Sequence, residues 1–303
     1  MGAATPVPAR VLSFAGTSLS APRLSVGDSN GDGVIDAALA GVADGDGRAR
    51  VDWFGTPGRS AVTSDVLHGA ADLTHADLDG DGRDEIIVVG SGGWQVMGID
   101  DDALHTRSQG AAATPLWRVA AADIDADGRD ELALVTVHRG LVDEIPRSTI
   151  ELVSLELSPA GISLRTLDAF DIDGHVGDLC FAPGEHGPSL VVETGAEEVG
   201  GQLHWLSTSD GALREVQSMP TGSERLRVLS LSAVRTDRRT LLSLGDVTGR
   251  IRVMEWCDGD LTLRAVAPLS GAGAALSAHL GVRQMWIAPM RPGEPIGWWS
   301  PVE

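Results

Sequence analysis

The sequence predicts an all-β chain made of repeated four-stranded units. Three observations carry that reading. An acid-and-glycine run that tips into a short apolar strand occurs three times, at Asp28–Asp36, Asp77–Glu85 and Asp123–Glu131. Six short runs, Ala37–Ala40, Ile86–Val89, Leu132–Val135, Leu190–Glu193, Leu241–Leu244 and Met285–Ala288, begin 44 to 58 residues apart. A period of that size marks a repeat architecture. Around each run lie further strand-like segments bounded by Gly, Pro, Asp and Ser.

Taken in order, the first unit reads as Arg23–Val26, Ala37–Gly41, Arg48–Phe54 and Ala61–Leu67. The second reads as Leu73–Leu78, Ile86–Val89, Trp94–Ile99 and a weaker strand near Ala112–Leu116, with Asp100–Asp102 as a solvated loop. The third has Arg118–Ile124, Leu132–Val137, Thr149–Leu157 and Ile162–Ala169. The fourth has Val176–Ala182, Leu190–Glu193, Gln202–Ser207 and Leu213–Met219. The fifth has Leu226–Val234, Thr240–Leu244, Ile251–Cys257 and Thr262–Pro268. The sixth shows only Ala275–Leu280, Met285–Ala288 and Pro295–Trp299, and Val11–Ser20 has the pattern to supply its missing strand. A Trp recurs on the third strand of several units (Trp53, Trp94, Trp205, Trp256, then Trp298 or Trp299), as packing between repeated sheets would require.

The acid runs carry chemistry. Side-chain oxygens at positions 1, 3, 5 and 9, a backbone carbonyl at position 7 and a Gly at position 6 surround one point with hard ligands, the donor set of Ca²⁺. The candidate ligands are Asp28, Asn30, Asp32, Val34 and Asp36; Asp77, Asp79, Asp81, Arg83 and Glu85; and Asp123, Asp125, Asp127, Arg129 and Glu131, with Val34, Arg83 and Arg129 offering their carbonyls. An EF-hand would place Glu at position 12 between helices. Leu39, Val88 and Leu134 stand there, and the flanks read as strands. Asp-Gly pairs also form turns without metal; three copies with one acid spacing favour up to three Ca²⁺ sites. The later units lack the acids, with Pro183–Gly187 and Arg235–Arg238 in their place, and are expected to be metal-free turns.

These residues resemble the FG-GAP/VCBS repeat of integrin-like propellers, whose pattern is Asp-x-Asp/Asn-x-Asp-Gly-x-x-Asp followed by a short apolar strand. Asp28–Asp36 matches throughout; the other two copies carry Glu at position 9. The resemblance implies a β-propeller with Ca²⁺ between the first and second strands of a blade. The expected fold is therefore a single propeller domain over residues 1–303. It would have six four-stranded blades, the N-terminal strand closing the last, with seven as the alternative.

Composition narrows the partners. The formal charge is −20, which opposes nucleic acid and anionic membranes. No stretch is apolar for long enough to span a bilayer. Met1–Arg10 lacks a signal-peptide core, which fits the cytoplasm, or a secreted chain after trimming. Cys180 and Cys257 are too few for a disulfide framework and read as buried strand residues.

On the face opposite the acid loops, His and carboxylates concentrate in units three and four: His138, Arg139, Asp143, Glu144, Arg147, Asp171, Asp173, His175, Asp178, Glu193, Glu197 and Glu198. A solvated acidic rim explains most of these. If the chain is an enzyme, His138, Asp173, His175 and Glu193 are the catalytic candidates, because a His beside a carboxylate can exchange protons. No nucleophile elbow, nucleotide loop or thiolate metal set is present. Two functions follow. One is a calcium-stabilised, lectin-like binding module for a glycan or a protein. The other is a stand-alone, cofactor-free cyclase, isomerase or lyase acting on a small molecule.

Overall fold

The computed structural model describes residues 10–11, 19–43, 48–55, 61–138, 146–158, 161–184, 187–195, 201–221, 228–236, 239–246, 250–257, 260–268, 275–280, 285–289 and 297–299. Strand β1 is Arg10–Val11. Blade one is β2 (Leu19–Gly27), β3 (Asp36–Ala43), β4 (Ala49–Phe54) and β5 (Val62–Asp65). Blade two is β6 (Ala70–Ala76), β7 (Glu85–Gly90), β8 (Gly93–Asp100) and β9 (Ala103–Gly110). Blade three is β10 (Leu116–Ala122), β11 (Glu131–His138), β12 (Arg147–Ser158) and β13 (Gly161–Asp173). Blade four is β14 (His175–Ala182), β15 (Ser189–Gly195), β16 (Gln202–Ser207) and β17 (Arg214–Pro220). Blade five is β18 (Val228–Thr236), β19 (Arg239–Asp246), β20 (Arg250–Cys257) and β21 (Asp260–Pro268). Each blade is an antiparallel sheet in chain order.

The expectation of six blades, or of seven, is corrected to five four-stranded blades. The sixth marker, Met285–Ala288, lies in β23 (Met285–Pro289), between β22 (Ala275–Leu280) and β24 (Gly297–Trp299). These strands shorten from six to five to three residues, and their fourth partner is the two-residue β1. The result is a closing sheet, β1-β24-β23-β22, made from both chain ends and set between β18 and β2. It does not repeat the blade of four consecutive strands. The proposed closing strand Val11–Ser20 is also divided: Val11 pairs with β24, whereas Leu19 and Ser20 already belong to blade one. Among the described residues there is no further sheet for a seventh unit.

The core lies between blades. Ala38, Val51 and Trp53 of blade one pack with Ile86, Val88 and Met97 of blade two. Ile150 and Leu152 of blade three meet Val176 and Leu190 of blade four. β7 is buried along its whole length, and its central Ile86–Val89 is accordingly a continuous apolar run. Blade two departs from expectation at its fourth strand. Asp101 and Asp102 adopt left-handed φ values of 51° and 60° and turn the chain in two residues, so that β9 begins at Ala103. The polar run Leu104–Gln109 gave no apolar signal because this strand is the solvated edge.

Every inner strand of the five blades carries a register irregularity near its start, and the residues just after it are Arg23, Asp72, Arg118, Asp178 and Ser230. A bulge leaves a backbone donor unpaired and re-aims side chains. Here the donors are used: Val119 N–H donates to Asp72 at 3.1 Å, and Leu231 N–H donates to Asp178 at 2.6 Å. Arg23 then spans the channel, 3.0 Å from Asp72 and 2.6 Å from Asp178. Burial pushes the Asp178 carboxyl up, and the charges of Arg23 and Arg118 offset part of that. Among the described residues no helix is long and apolar enough to cross a membrane.

Candidate metal centres in the acid-glycine loops

All three acid loops join the first and second strands of a blade, so they gather on one face. Their local folding follows one plan. The position-1 carboxylate accepts backbone N–H groups from across the loop. Asp28 takes those of Asp32 (3.1 Å) and Gly33 (2.8 Å); Asp77 takes Gly80 (2.7 Å) and Gly82 (2.9 Å); Asp123 takes Asp127 (3.2 Å) and Gly128 (3.0 Å). The position-5 Asp accepts the N–H two residues on, as Asp32 does from Val34 at 2.7 Å. Such tight Asx geometry requires left-handed backbone, supplied by Gly31 and Gly33, Gly80 and Gly82. In the third loop Ala126 holds the first of these places at φ 62°.

Position 9 is the buried corner of each loop. One oxygen of Asp36, Glu85 and Glu131 accepts the position-2 N–H of Ser29, Leu78 and Ile124, at 3.1 Å each. Burial pushes all three carboxyls up to about 7, aided by the charge of Asp32 at Asp36 and of Asp125 at Glu131.

The remaining oxygens differ between loops. Oδ1 of Asp36 is buried and accepts no hydrogen bond of ordinary geometry, although the Trp53 indole stands near enough to favour the carboxylate. Glu131 converges with Asp123 and Asp125, one oxygen from each lying within 4.8 Å of the others. In the second loop the equivalent trio is Asp77, Asp79 and Asp81, and Glu85 is instead ion-paired to Arg107. Arg107 reaches in from β9 because β8 carries Gly98 opposite; a Cβ there would lie 2.1 Å from its Nε. Sequence reasoning missed Arg107, although a Gly in a buried strand is a signal of close approach. The donor chemistry, oxygen throughout with three carboxylates converging in the second loop and three in the third, fits a hard divalent cation.

Neighbouring loops also touch. Asp28 N–H donates to Asp84 Oδ2 at 2.7 Å, and Asp84 N–H donates to the Asp28 carbonyl at 3.0 Å. Asp77 and Asp130 repeat this pair at 2.9 and 2.8 Å. Burial pushes the Asp84 carboxyl up, and the Asp130 carboxyl up to about 6.

The catalytic candidates lie on the opposite face. The strand register places His138, Arg147 and Asp173 in one row across blade three. Arg147 pairs with Asp173 at 3.2 Å, and His138 Nε2 lies 3.1 Å from the Thr149 hydroxyl, which donates to Asp171. His175 begins blade four and meets the Trp117 ring edge-on, centroids 5.2 Å apart. Glu193 is buried in β15. Arg139, Asp143, Glu144, Glu197 and Glu198 lie outside the described residues.

Residues 77–134 match the family model described as FG-GAP-like repeat, a stretch that spans the second and third acid loops. Among curated proteins none matches the chain. Of solved structures, a chain in the crystal structure of the mitotic checkpoint complex is similar over 100% of this chain and 94% of its own, with a TM-score of 0.59 and 13% identity. That likeness is one of fold. With the match over residues 77–134 set in a ring of four-stranded blades, this chain is a β-propeller that carries an FG-GAP-like repeat.

Proposed function

We propose that this chain is a calcium-stabilised propeller that recognises a protein or a glycan. The fold is that of a ligand-binding module in general, and the finer reading rests on the loops. The observation that carries it is the convergence of Asp123, Asp125 and Glu131, one oxygen from each lying within 4.8 Å of the others, which Asp77, Asp79 and Asp81 repeat in the second loop. Ionised carboxylates in that arrangement are costly without a cation. Asp28, Asn30, Asp32 and Asp36, with the Val34 carbonyl, would hold one ion. Asp77, Asp79 and Asp81 would hold a second, and Asp123, Asp125, Asp127 and Glu131 a third. Bound calcium would neutralise the like charges and fix the strand-one to strand-two turns. It would leave the opposite face, where Trp117, His175 and the His138 row stand, free for a partner.

Calcium titration by calorimetry tests the metal, and a melting temperature unchanged by chelator would remove it. Glycan arrays and pull-downs on the calcium-loaded protein test the ligand. Binding that survives Trp117→Ala and His138→Ala together would move the recognition surface elsewhere.

A further inference from the structure

The pairing of Asp84 with Asp28, and of Asp130 with Asp77, links loops that belong to different blades. Both bracketing residues stand at position 8, between the carbonyl of position 7 and the carboxylate of position 9. Anything that orders those two ligand positions orders the bracket. The bracket in turn fixes both the N–H and the carbonyl of position 1 in the preceding loop. Position 1 is the residue whose carboxylate organises that loop through two backbone N–H groups. The approach is tight enough to dictate sequence: a Cβ on Gly27, just before Asp28, would stand 2.3 Å from Asp84 Oδ2.

The two ends of the series follow the same rule. At position 8 of the first loop stands Ile35, which is exposed. Between Leu280 and Met285 the sequence reads Gly281-Val282-Arg283-Gln284, with no position-1 Asp to bracket. At the other end, blade four has no acid loop. A cleft of about 370 Å³, lined by Asp123, Pro183, Gly184, Gly187 and Pro188 among others, lies beside Asp123.

We infer that Asp84 and Asp130 couple the three acid loops in series, so that calcium held in one loop tightens binding in its neighbour. This rests on the calcium reading above. The physical basis is shared ordering. Calcium in the third loop fixes Arg129 to Glu131, hence Asp130, hence the position-1 residue of the second loop, which then loses less freedom on binding its own ion. Linkage makes the effect reciprocal between neighbours.

The test is calorimetric calcium titration of the full chain as wild type, Asp125→Ala, Asp130→Ala and the double variant. Asp125 is exposed, so its removal disables the third loop without opening the core. The expected result is that Asp125→Ala removes one site and weakens a remaining one by at least about fivefold, the low end of typical coupling. In the Asp130→Ala background the same change removes the site alone. Should Asp130→Ala fail to fold, hydrogen exchange replaces it: with calcium present, Asp125→Ala speeds exchange of the Asp77 amide, the donor to Asp130. Unchanged affinities in the remaining loops, or unchanged exchange at Asp77, overturn the coupling. Absence of any calcium binding in the wild type overturns the calcium reading itself, a distinct result.

Discussion

The indole of Trp205 lies on that of Trp256, with ring centroids 4.0 Å apart and planes 14° from parallel. The two residues occupy third strands of blades four and five, so the stack joins neighbouring sheets. Removing either ring deletes a large buried surface and its partner's contact. Trp205→Ala is expected to destabilise the protein by about 3 kcal/mol, in denaturant unfolding. Each single substitution should also abolish the exciton couplet that stacked indoles give in circular dichroism. A couplet retained in Trp256→Ala would mean that the signal arises from another pair.

Chelation is expected to lower the melting temperature. A ligand that binds only the folded state at a hundredfold excess over its Kd contributes about 2.7 kcal/mol per site. Asp79→Ala should reproduce part of that loss and should reduce the further effect of chelator. An equal response to chelator in wild type and variant would take Asp79 out of the ligand set.

Ala126 holds a left-handed backbone at φ 62°, where the other two loops place Gly. The strain of a side chain there, less the extra freedom that Gly brings to the unfolded chain, leaves a net gain of about 0.5–1 kcal/mol for Ala126→Gly. A small rise in melting temperature is expected, larger without calcium than with it. A fall would show that the loop tolerates the alanine without strain.

Gly98 and Arg107 form a pair, because only the missing Cβ lets the guanidinium reach Glu85. Gly98→Ala and Arg107→Ala should each cost about 1–3 kcal/mol, the range for a buried group left without its partner. Their combination should cost little more than either alone, since both remove one interaction. Full additivity in that double-mutant cycle would separate the two residues.

Cys180 is buried in β14, and burial pushes its thiol well above the ordinary value. The thiolate is the reactive form. In a Cys257→Ser background, iodoacetamide at pH 8 should therefore label Cys180 slowly in the native protein and fast in denaturant. Rapid native labelling would mean that the strand opens locally.

The acid loops were legible because each ligand type recurs at a fixed spacing, and the structure folds Asp28–Asp36, Asp77–Glu85 and Asp123–Glu131 as three similar turns between strands one and two. The second strands were legible for another reason: Ile86–Val89 is buried on both faces and so reads as a continuous apolar run. The edge strand β9 was not, since a solvated strand carries no apolar pattern and its start is set by the Asp101–Asp102 turn. The blade count failed because a periodic marker records one strand, not the pairing that completes a sheet, and β23 has the marker with only short partners. Arg107, Asp84 and Asp130 acquire their roles from neighbours 22 to 56 residues away, which local spacing does not encode.

Arg23 gains its two carboxylates from residues 49 and 155 positions along the chain. Neither local strand pairing nor the assembly of a single sheet can bring them together. The Arg23–Asp178 contact forms only when the fourth repeat has come round to face the first, and a connection of that length carries a large closure entropy. The guanidinium thus acts as a latch between repeats far apart in the chain. Its loss would leave individual sheets intact while slowing completion of the circle and hastening its opening.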